Sequence, residues 1–224
     1  FKHNNNKYYF TGKSNFEKEL VQGQNFDSIT NTLSINLVMA GDGSESLISN
    51  LYKKKITDLR SFGSEILKVS EDFQEMKWID TSLKDSIMDY ECQVYELDFR
   101  GRHYIAYVTS EIEERYNFGP WKFNGFDGVP LLIYDTEKKL EWEIVNIERL
   151  SDKELSEYAS EIENRQQELR EVNLQDFMYV YDRTNGGMTL TKGYPVLGPD
   201  FIEENPKEKF KRGGLELVFE WEDK

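Results

Sequence analysis

Two histidines, one cysteine and 42 carboxylates are the raw material for chemistry in this 224-residue chain. His3 and His103 lie far apart and belong to no metal-ligand spacing, so a histidine-based metal site finds no support. The chain contains no G-x-S-x-G nucleophile elbow, phosphate-cradling loop or dinucleotide fingerprint, and no cofactor is expected. Acid pairs such as Glu113-Glu114 and Glu203-Glu204 are adjacent in sequence, an arrangement that usually faces water. A glycosidase would need two acids at a fixed separation across a cleft. Gly41-Asp42-Gly43-Ser44-Glu45 opens like a calcium loop but lacks the later ligands. Cys92 has apolar strand neighbours and reads as a packing residue rather than a nucleophile. A lone cysteine cannot close an intrachain disulfide, which suits the cytosol or a reduced periplasmic thiol equally.

The charge balance removes other classes. A net charge of −14 argues against a nucleic-acid partner, because binding a polyanion requires lysine and arginine to displace its counterions. The basic runs Lys53-Lys54-Lys55 and Lys209-Phe210-Lys211-Arg212 are short and have acids nearby. No run of about 18 apolar residues is present, so no membrane-spanning helix is expected. No signal peptide stands at Phe1, and the start reads as that of a processed or trimmed product. Thirteen Tyr, fourteen Phe and four Trp favour a sheet-rich core, since aromatics suit half-buried pleated surfaces.

The elements that would position any site centre on Asp89 to Glu148. Tyr90–Phe99 and Arg102–Val108 both alternate with period two and are joined through Gly101, which predicts an antiparallel hairpin. Val129–Tyr134 and Leu140–Ile147 predict a second strand pair across the polar turn Asp135-Thr136-Glu137-Lys138. Pro130 lacks a backbone donor and points to a strand start or an edge. Between the hairpins, Asn117 to Gly128 packs glycine, proline and aromatics together. It reads either as a long loop anchored by buried aromatics or as an aromatic recognition surface. In the second reading Tyr107, Trp121, Phe123 and Phe126 are the ligand-contact candidates.

Tyr90-Glu91-Cys92, Ala106-Tyr107-Val108-Thr109 and Gly119-Pro120-Trp121-Lys122-Phe123-Asn124-Gly125 together resemble the GLPGLI family of Bacteroidetes envelope proteins. The signature hexapeptide is represented by Gly125-Phe126-Asp127-Gly128-Val129-Pro130, which keeps both glycines and has Asp127 where the family has proline. The resemblance implies an exported, periplasmic or cell-envelope protein and says nothing of an activity.

Elsewhere the pattern predicts a strand over Thr30–Ala40, a turn at Gly41–Ser44, a weak helix or loop over Ser44–Leu51, a strand at Glu65–Val69 and a turn at Asp80-Thr81-Ser82. Tyr8-Tyr9-Phe10 opens a strand or docking arm, and Phe16–Val21 suits a short helix. Ser151-Asp152-Lys153-Glu154 is a capping box opening one long helix through Asn173. Phe177–Tyr181 reads as a strand, Asn185-Gly186-Gly187 as its hairpin turn and Met188–Thr191 as the return. Leu215–Trp221 alternates and predicts a final strand. The expected fold is a single, mainly β domain with one long helix, a curved antiparallel sheet or open half-barrel. The expected role is a binding module for a lipid, peptide or envelope protein. The alternative is a carboxylate-based hydrolase.

Overall fold

The computed structural model describes residues 1–10, 22–27, 32–37, 46–62, 65–112, 119–147, 150–184 and 212–222. The chain is mainly β and mostly antiparallel, with two helices and no closed barrel among the described residues. A six-stranded sheet runs in the order β1 (Lys2–His3), β2 (Asn6–Phe10), β5 (Ser46–Asn50), β6 (Lys55–Phe62), β7 (Glu65–Asp72), β13 (Glu171–Asn173). A five-stranded sheet runs β12 (Glu141–Glu143), β11 (Val129–Asp135), β10 (Arg102–Thr109), β9 (Tyr90–Phe99), β8 (Ile79–Ile87). Gln22–Asp27 and Thr32–Leu37 form a separate hairpin, β3 and β4. The predicted Phe16–Val21 helix, the Gly41–Ser44 turn, the Asn185-Gly186-Gly187 hairpin with its return strand, and both acid pairs lie outside the described residues.

Register fixes what each face of the six-stranded sheet carries. Tyr9 lies opposite Leu47, Leu47 opposite Asp58, and Ile56 opposite Glu71, so these residues share one face with Lys7, Ser49, Arg60 and Val69. Tyr8, Ile48 and Thr57 occupy the other face. On that outer face lies helix α1 (Asp152–Gln167), which buries Ala159 and Ile162 against Tyr8 and Ile48. Its capping box forms as the sequence indicates: Ser151 Oγ accepts from Glu154 N, and Glu154 accepts from Ser151 N. The helix is shorter than expected, because Glu171–Asn173 pairs in parallel with Lys68–Ser70 of β7.

The inner face has two covers. Helix α2 (Leu174–Arg183) packs Leu174, Phe177 and Met178 onto Phe62, Leu67 and Val69. The five-stranded sheet covers the β5–β6 side, with the segment from Gly119 to Gly128 between the layers. There Trp121, Phe123 and Phe126 join Leu47 and Ile56 from one sheet and Tyr104, Ala106, Val108 and Ile133 from the other.

Three expectations are corrected. Phe177–Tyr181 is helical, because Asn173 caps Asp176 N and the apolar residues meet the sheet at helical spacing. Ser46–Asn50 is a strand held between β2 and β6; both its faces are covered, which erases the alternation that would have marked it. Leu215–Trp221 forms no strand. One side chain and one backbone carbonyl tether it instead: Tyr104 OH donates to Leu215 O (3.2 Å), and the backbone O of Arg100 accepts from Leu217 N and Val218 N. Two smaller differences concern turns. Asp80-Thr81-Ser82 lies within β8 at a bulge, and the turn into β9 falls at Met88-Asp89. Pro130 does stand at a strand start, beside a bulge opposite Val108, although β11 is an interior strand.

Candidate functional site

The central segment is a closed turn rather than an extended arm. Gly119 N donates to Phe123 O (2.9 Å) and Phe123 N to Pro120 O (3.1 Å), with Trp121 at φ 47°. Asn124 then ties it to the chain between β7 and β8: its Oδ1 accepts from Met76 N, its Nδ2 donates to Gln74 O, and its carbonyl accepts from Trp78 Nε1. Gly125 has φ 85°, and a Cβ there would strike Met76 O. Gly128 has φ 151°, and a Cβ there would strike Thr109 O. Both glycines of the degenerate hexapeptide are therefore required by close backbone approach.

Of the four ligand-contact candidates, three are core residues. Trp121, Phe123 and Phe126 are 1, 0 and 5 % exposed. Trp121 meets Phe123 edge-on at 5.3 Å, and Phe126 packs on Trp78 at 4.7 Å. Their surface is spent on packing between the sheets, which is the anchoring role open to this segment. Tyr107 is separated from them, half-buried against the cluster of Cys92, Val129 and Leu131. Cys92 is fully buried, and burial pushes its thiol pKa up, away from a reactive thiolate.

The open site lies just outside this core. A half-open groove of about 770 Å³ runs between the β1–β2 edge and β12. Trp142, packed on the core, forms its floor, and Pro120, Ile144, Ile147, Lys7 and Tyr9 also line it. Trp142 connects groove and core: it stacks on Trp121 at 6.4 Å with rings 7° from parallel, meets Phe123 edge-on at 5.2 Å, and donates through Nε1 to Tyr9 OH (3.1 Å). Trp121, Phe123 and Phe126 thus back the groove, and Gly119 and Pro120 of the same segment line it.

Lys7 is the groove's buried cation. Its Nζ donates to Trp121 O (3.0 Å) and Phe123 O (2.9 Å), pinning the turn to β2. Burial pulls its pKa down from 10.5 to about 7. Between those two values the unfolded chain holds a proton that the folded chain does not, so stability rises with pH across that window. Relative to Lys7→Met, the wild-type protein should gain about 2 kcal/mol in urea unfolding between about pH 7 and pH 9. An unchanged gap would show that the ammonium stays charged in the fold.

A second polar constellation lies deeper. Lys122, between two buried aromatics, reaches Glu216 (2.6 Å) and also pairs with Glu71. Arg100 pairs with Glu71 (2.6 Å), Glu220 (2.9 Å) and Glu216, and Arg60 pairs with Glu216 (2.5 Å) and Asp58 (3.0 Å). Burial raises the pKa of Asp58 against the pull of Arg60 and Lys122. Burial also opposes ionisation of Glu216, yet Lys122, Arg60 and Arg100 outweigh it and hold Glu216 far below the usual carboxylate range. The two carboxyls are driven apart in titration, as in an acid–base pair, but both are sealed in the interior. Sequence reasoning missed this network and Lys7. The available signal was Lys122 itself, a charge set between Trp121 and Phe123.

No family model matches the chain, and no curated protein matches it. Among solved structures, it is similar to PNGF-II in a C2 space group, at 13% identity and a TM-score of 0.40, over 66% of this chain and 27% of that one. PNGF-II in a P21 space group gives 12% identity and a TM-score of 0.41 over the same shares. The chain therefore spans about a quarter of the length of the solved structures it resembles, and the likeness is one of distant fold alone.

Proposed function

We propose that this chain is a binding module of the cell envelope that holds the apolar part of a lipid, peptide or protein partner in the groove over Trp142. The observation that carries the reading is the groove: an open, largely apolar trough of about 770 Å³ with an aromatic floor and a rigid core behind it. The envelope assignment rests on the resemblance of the segment around Gly119–Gly128 to the GLPGLI family. The hydrolase alternative would need two acids free to exchange protons in an open cleft. A second cleft, of about 440 Å³, does hold Glu71 and Glu220. Arg100 ties both carboxylates, and it holds the pKa of Glu220 down against the opposing effect of burial. That pairing favours structure over proton transfer.

The test is titration with 1-anilinonaphthalene-8-sulfonate. The wild-type protein should enhance the dye's fluorescence saturably. Ile144→Asp, which puts a charge in the groove lining, should weaken binding about tenfold or more, a loss of about 1.4 kcal/mol. Equal binding by the two proteins would refute the groove as the site.

A further inference from the structure

The groove is bounded by sheet edges, and the edge at β12 is open. The bonds to β11 show how it is oriented. Asp135 N donates to Leu140 O (3.0 Å), and Ile144 N donates to Leu131 O (2.8 Å). Trp142 lies directly opposite Ile133. Leu140, Trp142 and Ile144 therefore turn their backbone groups towards β11. Alternation then turns the N–H and C=O of Glu141 and Glu143 the other way, along the open edge. Both residues are exposed, and β12 is the terminal strand of its sheet. Among the described residues no hydrogen bond engages those outward groups.

We infer that the groove's occupant is an extended polypeptide segment that adds to the five-stranded sheet beside β12. This deepens the groove reading and rests on it. Outward main-chain donors and acceptors at every second residue match the spacing of another polypeptide strand, and an acyl chain has nothing to offer them. Side chains then specify the segment. Trp142 is half-buried on the core side, while Glu141 and Glu143 point to the opposite side and are exposed. Residues of an added strand share a side with the residues they face. The segment therefore places a lysine or arginine opposite each of Glu141 and Glu143, and an apolar residue between them over Trp142, towards Pro120 and Ile144. The pattern is basic–apolar–basic, complementary to Glu141 and Glu143 on the edge strand itself; the groove's lysines, Lys2 and Lys7, belong to the β1–β2 side.

The probe is the acetylated, amidated heptapeptide Lys-Val-Lys-Val-Lys-Val-Lys, titrated calorimetrically and by hydrogen exchange. Saturable binding is expected, with slowed exchange at the amides of Glu141 and Glu143. E143P removes one outward N–H, which takes no part in the β11 ladder, and should bind the peptide about tenfold more weakly than E143Q, which loses the same charge. Cooperative melting of both variants checks that the fold is kept. Should E143P fail to fold, the same comparison is made on the wild-type protein with the peptide N-methylated at alternate residues, which should also bind about tenfold more weakly. Equal affinity for the matched partners, unchanged exchange at Glu141 and Glu143, or no peptide binding would overturn the strand inference. If the dye still binds in that case, the groove reading survives; if the dye also fails to bind the wild type, both fall. A peptide-independent dimer abolished by E143P would assign the edge to a second copy of this chain and overturn a foreign segment.

Discussion

Trp121→Ala should lower the unfolding free energy by about 3–5 kcal/mol and the melting temperature by about 10 °C. Trp121 is 1 % exposed and has three aromatic neighbours: Phe99 at 5.9 Å, Phe123 at 5.3 Å and Trp142 at 6.4 Å. Truncation opens a hole between two sheets whose backbones are fixed by their own ladders, so collapse around it is limited. The indole also backs Trp142, so the groove floor should loosen and dye affinity should fall with stability. Calorimetric melting checks the first effect. A melting temperature within about 2 °C of wild type, where a single kcal/mol would already register, would contradict the placement of the indole in the core.

Glu216→Gln should cost about 3–5 kcal/mol for a different reason. The substitution keeps the shape but leaves Lys122, Arg60 and Arg100 short of a counter-charge in an interior where Lys122 and Arg100 side chains are 1 and 2 % exposed. Adding Lys122→Met should recover part of the loss, because it removes a charge that has become expensive to bury. The pH dependence follows from the sign of the shift. The carboxyl of Glu216 is held below its ordinary value, so its contribution is complete above the unfolded value of about 4.3 and is lost as pH falls towards the folded one. Wild-type stability should therefore decline below about pH 4.3 more steeply than that of Glu216→Gln. Parallel acid unfolding curves would show that the network does not depend on this carboxylate.

Much of the architecture was legible because local signals and tertiary environment agreed. The Tyr90–Thr109 hairpin has a glycine turn and clean alternation, and each of its faces finds a partner of matching polarity. The capping box at Ser151 is satisfied within four residues and needs nothing from the rest of the fold. Misreadings arose where tertiary context decided. Phe177-Met178-Tyr179-Val180-Tyr181 is rich in strand-favouring types, yet Asn173 at the N-cap and Leu174, Phe177 and Met178 on one face make it a helix against β7. Glu216 lies on the side of the alternating Leu215–Trp221 run opposite its leucines and aromatics. It is nonetheless buried, because three cations from distant segments converge on it, and no single segment reveals that. Of the aromatics singled out in the sequence, Trp121, Phe123 and Phe126 lie in the core beneath the groove and Tyr107 lies apart from them. Aromatic richness marks a core as readily as a surface, and the register of β12 on β11 is what places Trp142 between the core and the groove.

The Glu216 network also has a temporal side. Lys122 precedes its partner Glu216 by 94 residues, and Arg100 precedes it by 116. At a ribosomal rate of about 5–20 residues per second, both cations and Glu71, which pairs with each, emerge several seconds or more before Glu216. A nascent chain that closed its two layers early would leave Lys122 and Arg100 to share Glu71 in a dry interior, an excess of positive charge that is disfavoured. The ion cluster is therefore expected to be completed last during synthesis, with the layers staying apart until the stretch bearing Glu216 has left the exit tunnel.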